Sequence, residues 1–463
     1  MKNILLLILF SAIQLLGFSQ NNFVDNQVIV MMNGNQDIIP VIKDFNATNK
    51  EIELKSKRVL SQRAHVYLLE FDATKTTVKD LVNALKRDER VALAQPNHTD
   101  LKMRSTIPND LEYPVQWSVG STATARIFAP EAWDISTDGV TQNGDTIVMA
   151  VVDGGVDITH IDLNLFKNKH EIPNNGIDDD NNGYVDDYDG WNAYSQSGQI
   201  NSDPHGTHIA GTIGAKTNNS EGVAGIVWGG AILPINASSG QESVVIEGYG
   251  YALELRSKYN ETNGDSGAFV VATNSSFGVD MANPANYPIW CAFYDALGAA
   301  GILNMAATTN QGLDVDVSGD VPTTCPSIYM VAVSNINKNG SVLGGYGAVK
   351  IDLAAPGTDI QSTIPGHSYG FKTGTSMASP AVAAMLAREY CNDTITYITI
   401  KNRIFGNALK DTSLITKSRQ GKILVVTPLV SNIILVWCQK NWILFCCLLF
   451  FLVVPLYWFW KKK

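Results

Sequence analysis

Three stretches of the chain carry residue types that act together in acyl transfer. Ser376 lies in GTSMASP, His205 in DPHGTHIAGTIGA, and Asp153 ends the run DTIVMAVVD. A serine hydroxyl becomes an effective nucleophile when a histidine takes its proton and a carboxylate orients that histidine. A serine in front of an alanine-rich run is also a favoured helix cap. The presence of His205 and Asp153 favours a nucleophile over a cap alone.

The elements around these residues are expected to direct them to one site. Residues 145–153 are mostly apolar and β-branched, which predicts a buried parallel strand. Asp153 would stand at its carboxyl end, where open α/β sheets bind ligands. His205 opens a helix of small residues, and Gly206 would let that helix approach its neighbours. Ser376 opens another helix, whose free N–H groups and dipole favour negative charge.

Three motifs carry a resemblance to a known family. VVDGGVDITHIDL, HGTHIAG and GTSMASP resemble the acid, base and nucleophile signatures of the subtilisin-like serine proteases, in the same order, over roughly residues 105–426. The resemblance implies that Asp153 orients the base, His205 is the general base and Ser376 is the nucleophile. His208 is expected only to pack inside the fold. The family implies an α/β fold, with three layers (α/β/α) around a mostly parallel sheet.

The family binds the oxyanion with an asparagine that follows a buried strand, usually after Ala-Ala-Gly. Here residues 306–312 read AATTNQG, so a threonine replaces the glycine and the spacing is looser. The resemblance implies that Asn310 and the backbone N–H of Ser376 bind the oxyanion. Asn304 and Asn274 are rivals for this role.

The segment NSSFG resembles the part of the family that pairs with an extended substrate backbone by strand addition. A strand end followed by a turn is the alternative. The implied substrate-binding residues are Asn274, Ser275, Ser276, Phe277 and Gly278. The expected partners are protein or peptide substrates.

An acidic insertion, IDDDNNGYVDDYDGW, separates Asp153 from His205. Its alternating oxygen-bearing side chains and its glycine resemble a calcium loop. The expected ligands are Asp178, Asp180, Asn182, Tyr184, Asp186 and Asp187. Calcium would stabilise the loop beside the catalytic acid rather than take part in the chemistry. A solvated acidic loop is the alternative.

The N-terminal region is predicted to hold a leader and a propeptide. Residues 1–19 have an apolar run followed by small residues, which is typical of a secretory signal peptide. Residues 20–104 indicate a small α+β ferredoxin-like domain. Such a segment in this family is a propeptide that assists folding and acts as an intramolecular inhibitor; an unrelated adhesion module is the alternative. Strands are expected at 27–32, 51–54, 65–71 and 91–94, and helices at 38–45 and 77–86.

Residues 105–427 are predicted to form the peptidase domain, because strand-like and helical segments alternate as in a doubly wound sheet. Its three cysteines, Cys291, Cys325 and Cys391, allow at most one internal disulfide, with the pairing open. The net charge of −10 argues against a nucleic-acid partner.

The C-terminal tail departs from the family pattern. After a linker at 428–442, residues 443–460 form an apolar run without a charged residue, long enough to cross a bilayer, and residues 461–463 are lysines. This pattern predicts membrane anchoring with the protease outside. The alternatives are a sorting tail that is later removed and a tail altered by a change of reading frame.

These features predict a secreted or surface-anchored serine endopeptidase made as a self-processed zymogen. One alternative is a catalytically silent binding protein that keeps the fold, although intact Asp153, His205 and Ser376 argue against it. The other is an enzyme that acts mainly on its own propeptide. Turnover of other substrates separates that enzyme from a general protease.

Overall fold

The computed structural model describes residues 23–99, 106–120, 123, 125–134, 136–137, 139–141, 143–238, 240–390 and 397–424. The predicted signal peptide (1–19), linker (428–442), membrane segment (443–460) and basic tail (461–463) lie outside these residues. Within the described residues, no helix is both long enough and apolar enough to cross a bilayer. The chain divides into two compact units, residues 1–104 and 105–463.

The N-terminal unit is a four-stranded sheet with two helices. Its elements are β1 (Phe23–Met32), α1 (Ile38–Thr48), β2 (Lys55–Ser61), β3 (Val66–Glu70), α2 (Val78–Leu85) and β4 (Val91–His98). Every neighbouring pair is antiparallel in the order β2-β3-β1-β4. Asp37 and Thr77 cap the two helices with their side chains. The predicted ferredoxin-like order is confirmed.

The strand expected at residues 51–54 is wrong, because the second strand is β2, residues 55–61. Ile52 and Leu54 are buried, as an alternating pattern predicts, but they flank Glu53, whose φ of 50° is incompatible with an extended strand. β2 is almost wholly exposed and lies at the edge of the sheet. An exposed edge strand has no apolar alternation for a sequence pattern to detect.

The C-terminal unit is built around a nine-stranded sheet in the order β16-β17-β13-β12-β10-β8-β5-β7-β6. Every pair is parallel except β16 with β17. Its strands are β5 (Val148–Asp153), β6 (Trp191–Asn192), β7 (Ala231–Asn236), β8 (Val270–Ser275), β10 (Leu303–Ala307), β12 (Met330–Ile336), β13 (Leu353–Pro356), β16 (Leu409–Lys410) and β17 (Lys422–Ile423).

Two smaller two-stranded sheets, seven α-helices and five short 3-10 helices also belong to the described part of this unit. The smaller sheets pair β9 (Val279–Asp280) with β11 (Asp320–Val321), and β14 (Ile360–Ile364) with β15 (Ser368–Lys372). The helices are α3 (Ala129–Trp133), α4 (Pro204–Gly214), α5 (Glu242–Thr262), α6 (Pro288–Ala300), α7 (Val315–Ser318), α8 (Thr375–Glu389) and α9 (Tyr397–Asn407).

The central strand β5 shows why the fold has three layers. Its side chains are all buried and alternate between the two faces of the sheet. Met149 and Val151 join the core formed with α4 and α8, whereas Ala150 and Val152 join the core formed with α5 and α6. Both faces are therefore covered by helices, as a parallel sheet requires. The predicted three-layer α/β/α fold is confirmed.

One disulfide ties α6 to the chain that follows β11. Cys291 and Cys325 are 34 residues apart in sequence, and their Cα atoms are 5.2 Å apart. The sequence allowed one internal bond and left its pairing open. Cys391 lies outside the described residues.

Candidate active site

Asp153 and His205 contact each other directly through polar atoms. Asp153 is the last residue of β5 and is 2 % exposed. Both of its carboxylate oxygens lie 3.0 Å from His205 Nδ1. Because both neighbours of Nδ1 are acceptors, this nitrogen carries the proton, and Nε2 is left with its lone pair. The ring is thus held in the tautomer that a general base needs.

His205 is positioned by the start of α4. The Asp203 side chain caps this helix by accepting from the backbone N–H of His205 at 2.7 Å and of Gly206 at 3.0 Å. A Cβ on Gly206 would come within 2.0 Å of the carbonyl oxygen of Gly155. The helix therefore approaches the loop after β5 closely, as the small residues of its motif predicted.

The charge on His205 is set by opposing effects. Burial disfavours the imidazolium, but the hydrogen bond and charge of Asp153, with the charge of Asp203, outweigh it and raise the pKa of His205. Lys372 acts in the opposite direction, toward a lower pKa. Asp203 was not among the predicted site residues, although its place directly before Pro204 is a typical cap signal.

Ser376 lies in the first turn of α8 and is 7 % exposed. Its hydroxyl donates to the carbonyl oxygen of Ser276 at 3.2 Å, and the Ser276 hydroxyl donates to the carbonyl oxygen of Ser376 at 2.9 Å. No hydrogen bond joins Ser376 Oγ to His205 in the part of the chain that the structure describes. Helices α4 and α8 nevertheless pack against each other, and each of the two residues stands in the first turn of its helix.

Asn310 lies directly beside the turn that leads into Ser376. Its Oδ1 accepts from the backbone N–H of Thr375 at 2.9 Å and from the Thr375 hydroxyl at 3.1 Å. Its side chain is exposed, and Nδ2 has no hydrogen-bond partner among the described residues. The amide is therefore fixed through its oxygen, with its two N–H groups left to donate.

The two rival asparagines are committed to contacts inside the protein. Asn304 is fully buried in β10, where its Oδ1 accepts from the Thr273 hydroxyl at 2.8 Å. Asn274 is also fully buried; its Nδ2 donates to Ser276 Oγ at 3.0 Å and its Oδ1 accepts from the Ser379 hydroxyl at 2.7 Å. The geometry favours Asn310 as the exposed donor.

The predicted substrate segment lies where β8 ends. Asn274 and Ser275 are the last two residues of that strand and are buried. Ser276, Phe277 and Gly278 line a cavity of about 250 Å³ that is also lined by Asn310 and Ser376. The structure thus brings part of this segment to the predicted nucleophile.

His208 lies inside the protein, as predicted. It is fully buried, and its Nε2 donates to the carbonyl oxygens of Ile360 at 2.9 Å and Gly370 at 3.1 Å. Burial lowers the pKa of His208 to about 4, so the ring is neutral at neutral pH.

The acidic loop brings together two of the predicted calcium ligands and one residue that was not predicted. Oxygens of Glu171, Asp178 and Asp180 all lie within 4.8 Å of one another. Glu171 is 3 % exposed and accepts from the backbone N–H groups of Asp179 and Asp186. Glu171 precedes the acidic run by seven residues, so no pattern within that run could identify it.

The other predicted loop ligands have different surroundings. Asp186 accepts from two backbone N–H groups near residue 175, and Tyr184 packs its ring against Trp191. Asp187 is fully buried and accepts from Asn168 at 2.7 Å and from Asn182 at 2.9 Å. Burial raises the pKa of Asp187 to about 6. These residues hold the loop together around the group of three carboxylates.

Comparisons with known proteins identify two regions of the chain. A family model described as the subtilase family matches residues 144–422, and one described as the fervidolysin N-terminal prodomain matches residues 17–97. The thermophilic serine proteinase of Bacillus sp. (strain AK1) is 31% identical over 360 residues, which cover 75% of this chain and 74% of that protein. An extracellular protease of Xanthomonas campestris pv. campestris is 28% identical over 361 residues, covering 73% of this chain and 58% of that protein.

The fold is also similar to a solved structure. A protease structure from Pseudoalteromonas arctica matches with a TM-score of 0.51 at 23% identity, covering 70% of this chain and 98% of that chain. At this identity the likeness concerns the fold alone.

Proposed function

The chain belongs to the subtilase family of serine endopeptidases, and we propose that Asp153, His205 and Ser376 carry its peptidase activity. The family and the N-terminal prodomain, both predicted from the sequence, are confirmed by the matches to residues 144–422 and 17–97.

The proposed reaction passes through an acyl-enzyme on Ser376. The serine oxygen attacks the carbonyl carbon of the scissile bond while His205 Nε2 takes its proton, and His205 then gives that proton to the leaving amine. Asp153 holds the Nδ1–H and stabilises the imidazolium. A water molecule, deprotonated by His205, then hydrolyses the ester. Because the resting hydroxyl donates to Ser276, rotation about the Cα–Cβ bond of Ser376 precedes the attack.

Asn310 Nδ2 and the backbone N–H of Ser376 are the proposed donors to the oxyanion. Ser376 stands in the first turn of α8, where N–H groups have no partner within the helix. The oxygen of Asn310 is tied to Thr375, which fixes the direction of the amide. Donors fixed before the reaction stabilise the charge as it develops, without reorganisation.

The observation that carries the proposal is the contact of both Asp153 oxygens with His205 Nδ1, at the adjoining ends of β5 and α4. We would treat the full chain, its Ser376→Ala variant and a Ser341→Ala control with a fluorophosphonate probe, and record intact masses. Ser341 is an exposed serine, so it serves as the matched control. We expect one adduct on the wild type and the control, and none on Ser376→Ala.

The same masses test self-processing. Loss of the segment that ends near residues 103–107, in the wild type but not in Ser376→Ala, supports a zymogen that cuts itself. A wild type that is not labelled, even after another protease has removed that segment, excludes catalysis and favours the silent binding protein. Labelling and shortening without turnover of an added peptide mixture favours an enzyme restricted to its own propeptide.

We also propose that the protein is exported. The similarity to an extracellular protease supports this, together with the signal-peptide pattern of residues 1–19. Retention on a membrane through residues 443–460 rests on the sequence pattern alone. Fractionation of cells with antibodies to residues 105–427 and to the tail distinguishes a released protease from an anchored one.

We propose that Glu171, Asp178 and Asp180 bind a structural calcium ion. These carboxylates offer hard oxygen donors within 4.8 Å of one another, which is the ligand type that calcium takes. Lys258 Nζ lies 3.4 Å from Asp180 Oδ1 and balances part of the negative charge. Bound calcium would hold the loop that lies between Asp153 and His205 in the chain, with no step of the reaction assigned to it.

A further inference from the structure

The cavity beside Ser376 and Asn310 is acidic. Two of its lining residues are aspartates, Asp280 and Asp320, and no described lining residue is a lysine, arginine or histidine. Its volume of about 250 Å³ lies below the roughly 300–1,000 Å³ of small-molecule sites, a size that suits one amino-acid side chain. The cavity therefore has the size and the charge to receive a single cationic side chain.

Asp320 is the buried carboxylate of this cavity. It is 2 % exposed and stands on β11. Its Oδ2 accepts from the Thr308 hydroxyl at 2.9 Å, from the backbone N–H of Thr309 at 3.3 Å and from the Thr323 hydroxyl. Its Oδ1 has no hydrogen-bond partner within the described residues, and this atom keeps some exposure to solvent. One oxygen is thus fixed by the protein, and the other is left for a ligand.

Asp280 adds a second carboxylate at the exposed side of the cavity. Strand β9 pairs with β11 so that Asp280 stands opposite Asp320. Asp280 is exposed, and its Oδ2 accepts from the Gln311 side chain at 2.9 Å. A cation entering the cavity would pass this carboxylate before it reaches Asp320.

Without a cation nearby, the buried charge of Asp320 destabilises the folded protein. Burial raises the pKa of Asp320, the hydrogen bonds from Thr323 and Thr308 lower it, and the charge of Asp280 raises it further. A buried carboxylate with no positive partner is destabilising. The three bonds to Oδ2 would be accepted equally by an asparagine oxygen, so a purely structural role does not account for the charge.

We propose that Asp320 determines specificity in this cavity and that the enzyme prefers peptide bonds that follow lysine or arginine. The inference rests on the proposed function, because the cavity shares Ser376 and Asn310 with the proposed catalytic groups. The residue that donates the attacked carbonyl places its side chain next to these groups. An aspartate in the pocket beside a nucleophilic serine gives this preference in an unrelated protease fold.

The test uses full-length enzyme that has processed itself, with fluorogenic peptides that differ only in the residue before the scissile bond: lysine, arginine, leucine or phenylalanine. We expect kcat/KM for the lysine and arginine peptides to exceed that for the leucine peptide by about 10-fold or more. Asp320→Asn should lower the lysine-to-leucine ratio by roughly 10- to 100-fold. The ratio is measured on one protein, so a general loss of activity cancels. Asp265→Asn, which removes an exposed aspartate of the loop before β8, should leave the ratio at its wild-type value.

Fluorophosphonate labelling separates failure of this inference from failure of the proposed function. An enzyme that labels but prefers leucine or phenylalanine overturns the role of Asp320, as does a labelled Asp320→Asn variant with an unchanged ratio. An unlabelled wild type overturns the proposed function and the inference with it. If Asp320→Asn does not fold, inhibition of the wild type decides: benzamidine should compete with the lysine peptide, and uncharged benzamide should not.

Discussion

At the scale of single residues, the proposed role of Asn310 in binding the oxyanion can be tested with two variants. Asn310→Ala removes the Nδ2 donor and should lower kcat by about 10²–10³-fold with little change in KM, the range found for the equivalent donor in another enzyme of this family. The variant also loses the bond from Thr375 to Oδ1. Asn310→Asp keeps an acceptor for Thr375 but has no N–H to donate. Steady-state kinetics on both variants separate the two roles.

If Asn310 serves only to hold Thr375, Asn310→Asp should recover most of the wild-type kcat. If it binds the oxyanion, Asn310→Asp should be at least as impaired as Asn310→Ala. Asn339→Ala, at an exposed asparagine in the turn after β12, is the control and should match the wild type. A kcat within threefold of wild type for Asn310→Ala would remove this residue from the mechanism.

The pH dependence of the activity follows from the charge on His205. His205, the proposed base, would act only when neutral. Its pKa is raised above the usual value, so kcat/KM should fall as the pH drops through a pKa higher than that of a free histidine. Asp153→Asn removes the raising charge, so the acid limb should move to lower pH while the rate falls by about 10⁴-fold.

Asp203→Asn is the matched variant for this pH effect. Asparagine keeps the helix cap but removes the second charge that raises the pKa of His205. Its acid limb should move in the same direction by a smaller amount, with most of the plateau rate retained. If the wild type, Asp153→Asn and Asp203→Asn all show the same acid limb, His205 is not the titrating base. The measurement is kcat/KM across pH 5 to 9.

Residue types and motif order were enough to predict the pairing of Asp153 with His205, because each sits where an element begins or ends. They could not predict that the Ser376 hydroxyl would donate to Ser276, since that contact depends on how closely α8 approaches the end of β8. Glu171 and Asp320 were missed for a similar reason. Both are single acidic residues that only the folded chain brings to a site.

At the scale of elements, the acidic loop should gain order from calcium. Millimolar calcium at about a hundred times its dissociation constant should raise the midpoint of thermal unfolding by roughly 5–10 °C over the same protein in chelator. Glu171→Gln and Asp178→Asn should each remove most of this difference, because each takes one charge from the group of three carboxylates. Differential scanning calorimetry with and without calcium measures this difference in the unfolding midpoint.

Asp186→Asn distinguishes the narrower ligand set from the wider one expected from the sequence. Asp186 accepts from the backbone near residue 175 rather than joining the three carboxylates. Its variant should therefore lose some stability in both conditions and keep the calcium-dependent difference. If Asp186→Asn abolishes that difference while Glu171→Gln retains it, the ion binds elsewhere in the loop.

Burial explains which elements the sequence could place. β5 is wholly buried, and the strand predicted at residues 145–153 lies within a few residues of its true bounds, Val148–Asp153. The position of β2 was predicted wrongly because its side chains face solvent at the edge of a sheet. Ile52 and Leu54, just before β2, are the apolar residues that suggested a strand, but the positive φ of Glu53 between them rules out a strand there.

At the scale of the whole molecule, the division at residues 104 and 105 predicts an N-terminal unit that folds alone. Its core is formed entirely by its own buried residues, from β1, α1, β3, α2, β4 and the turn before β2. Residues 20–104 expressed by themselves should therefore unfold in one cooperative transition, although a domain of this size is only marginally stable. Circular dichroism on heating tests this, with Leu81→Asp as the control that buries a charge and should unfold it.

A folded fragment should also inhibit the processed enzyme when added in trans, because the prodomain match supports an inhibitory propeptide. Residual turnover of a peptide substrate should fall with added fragment and stay unchanged with Leu81→Asp. A fragment that folds but does not inhibit would assign residues 20–104 to assisted folding alone. An unfolded fragment that still inhibits would instead mean that binding supplies the free energy of ordering, and that the unit depends on the enzyme for its stability.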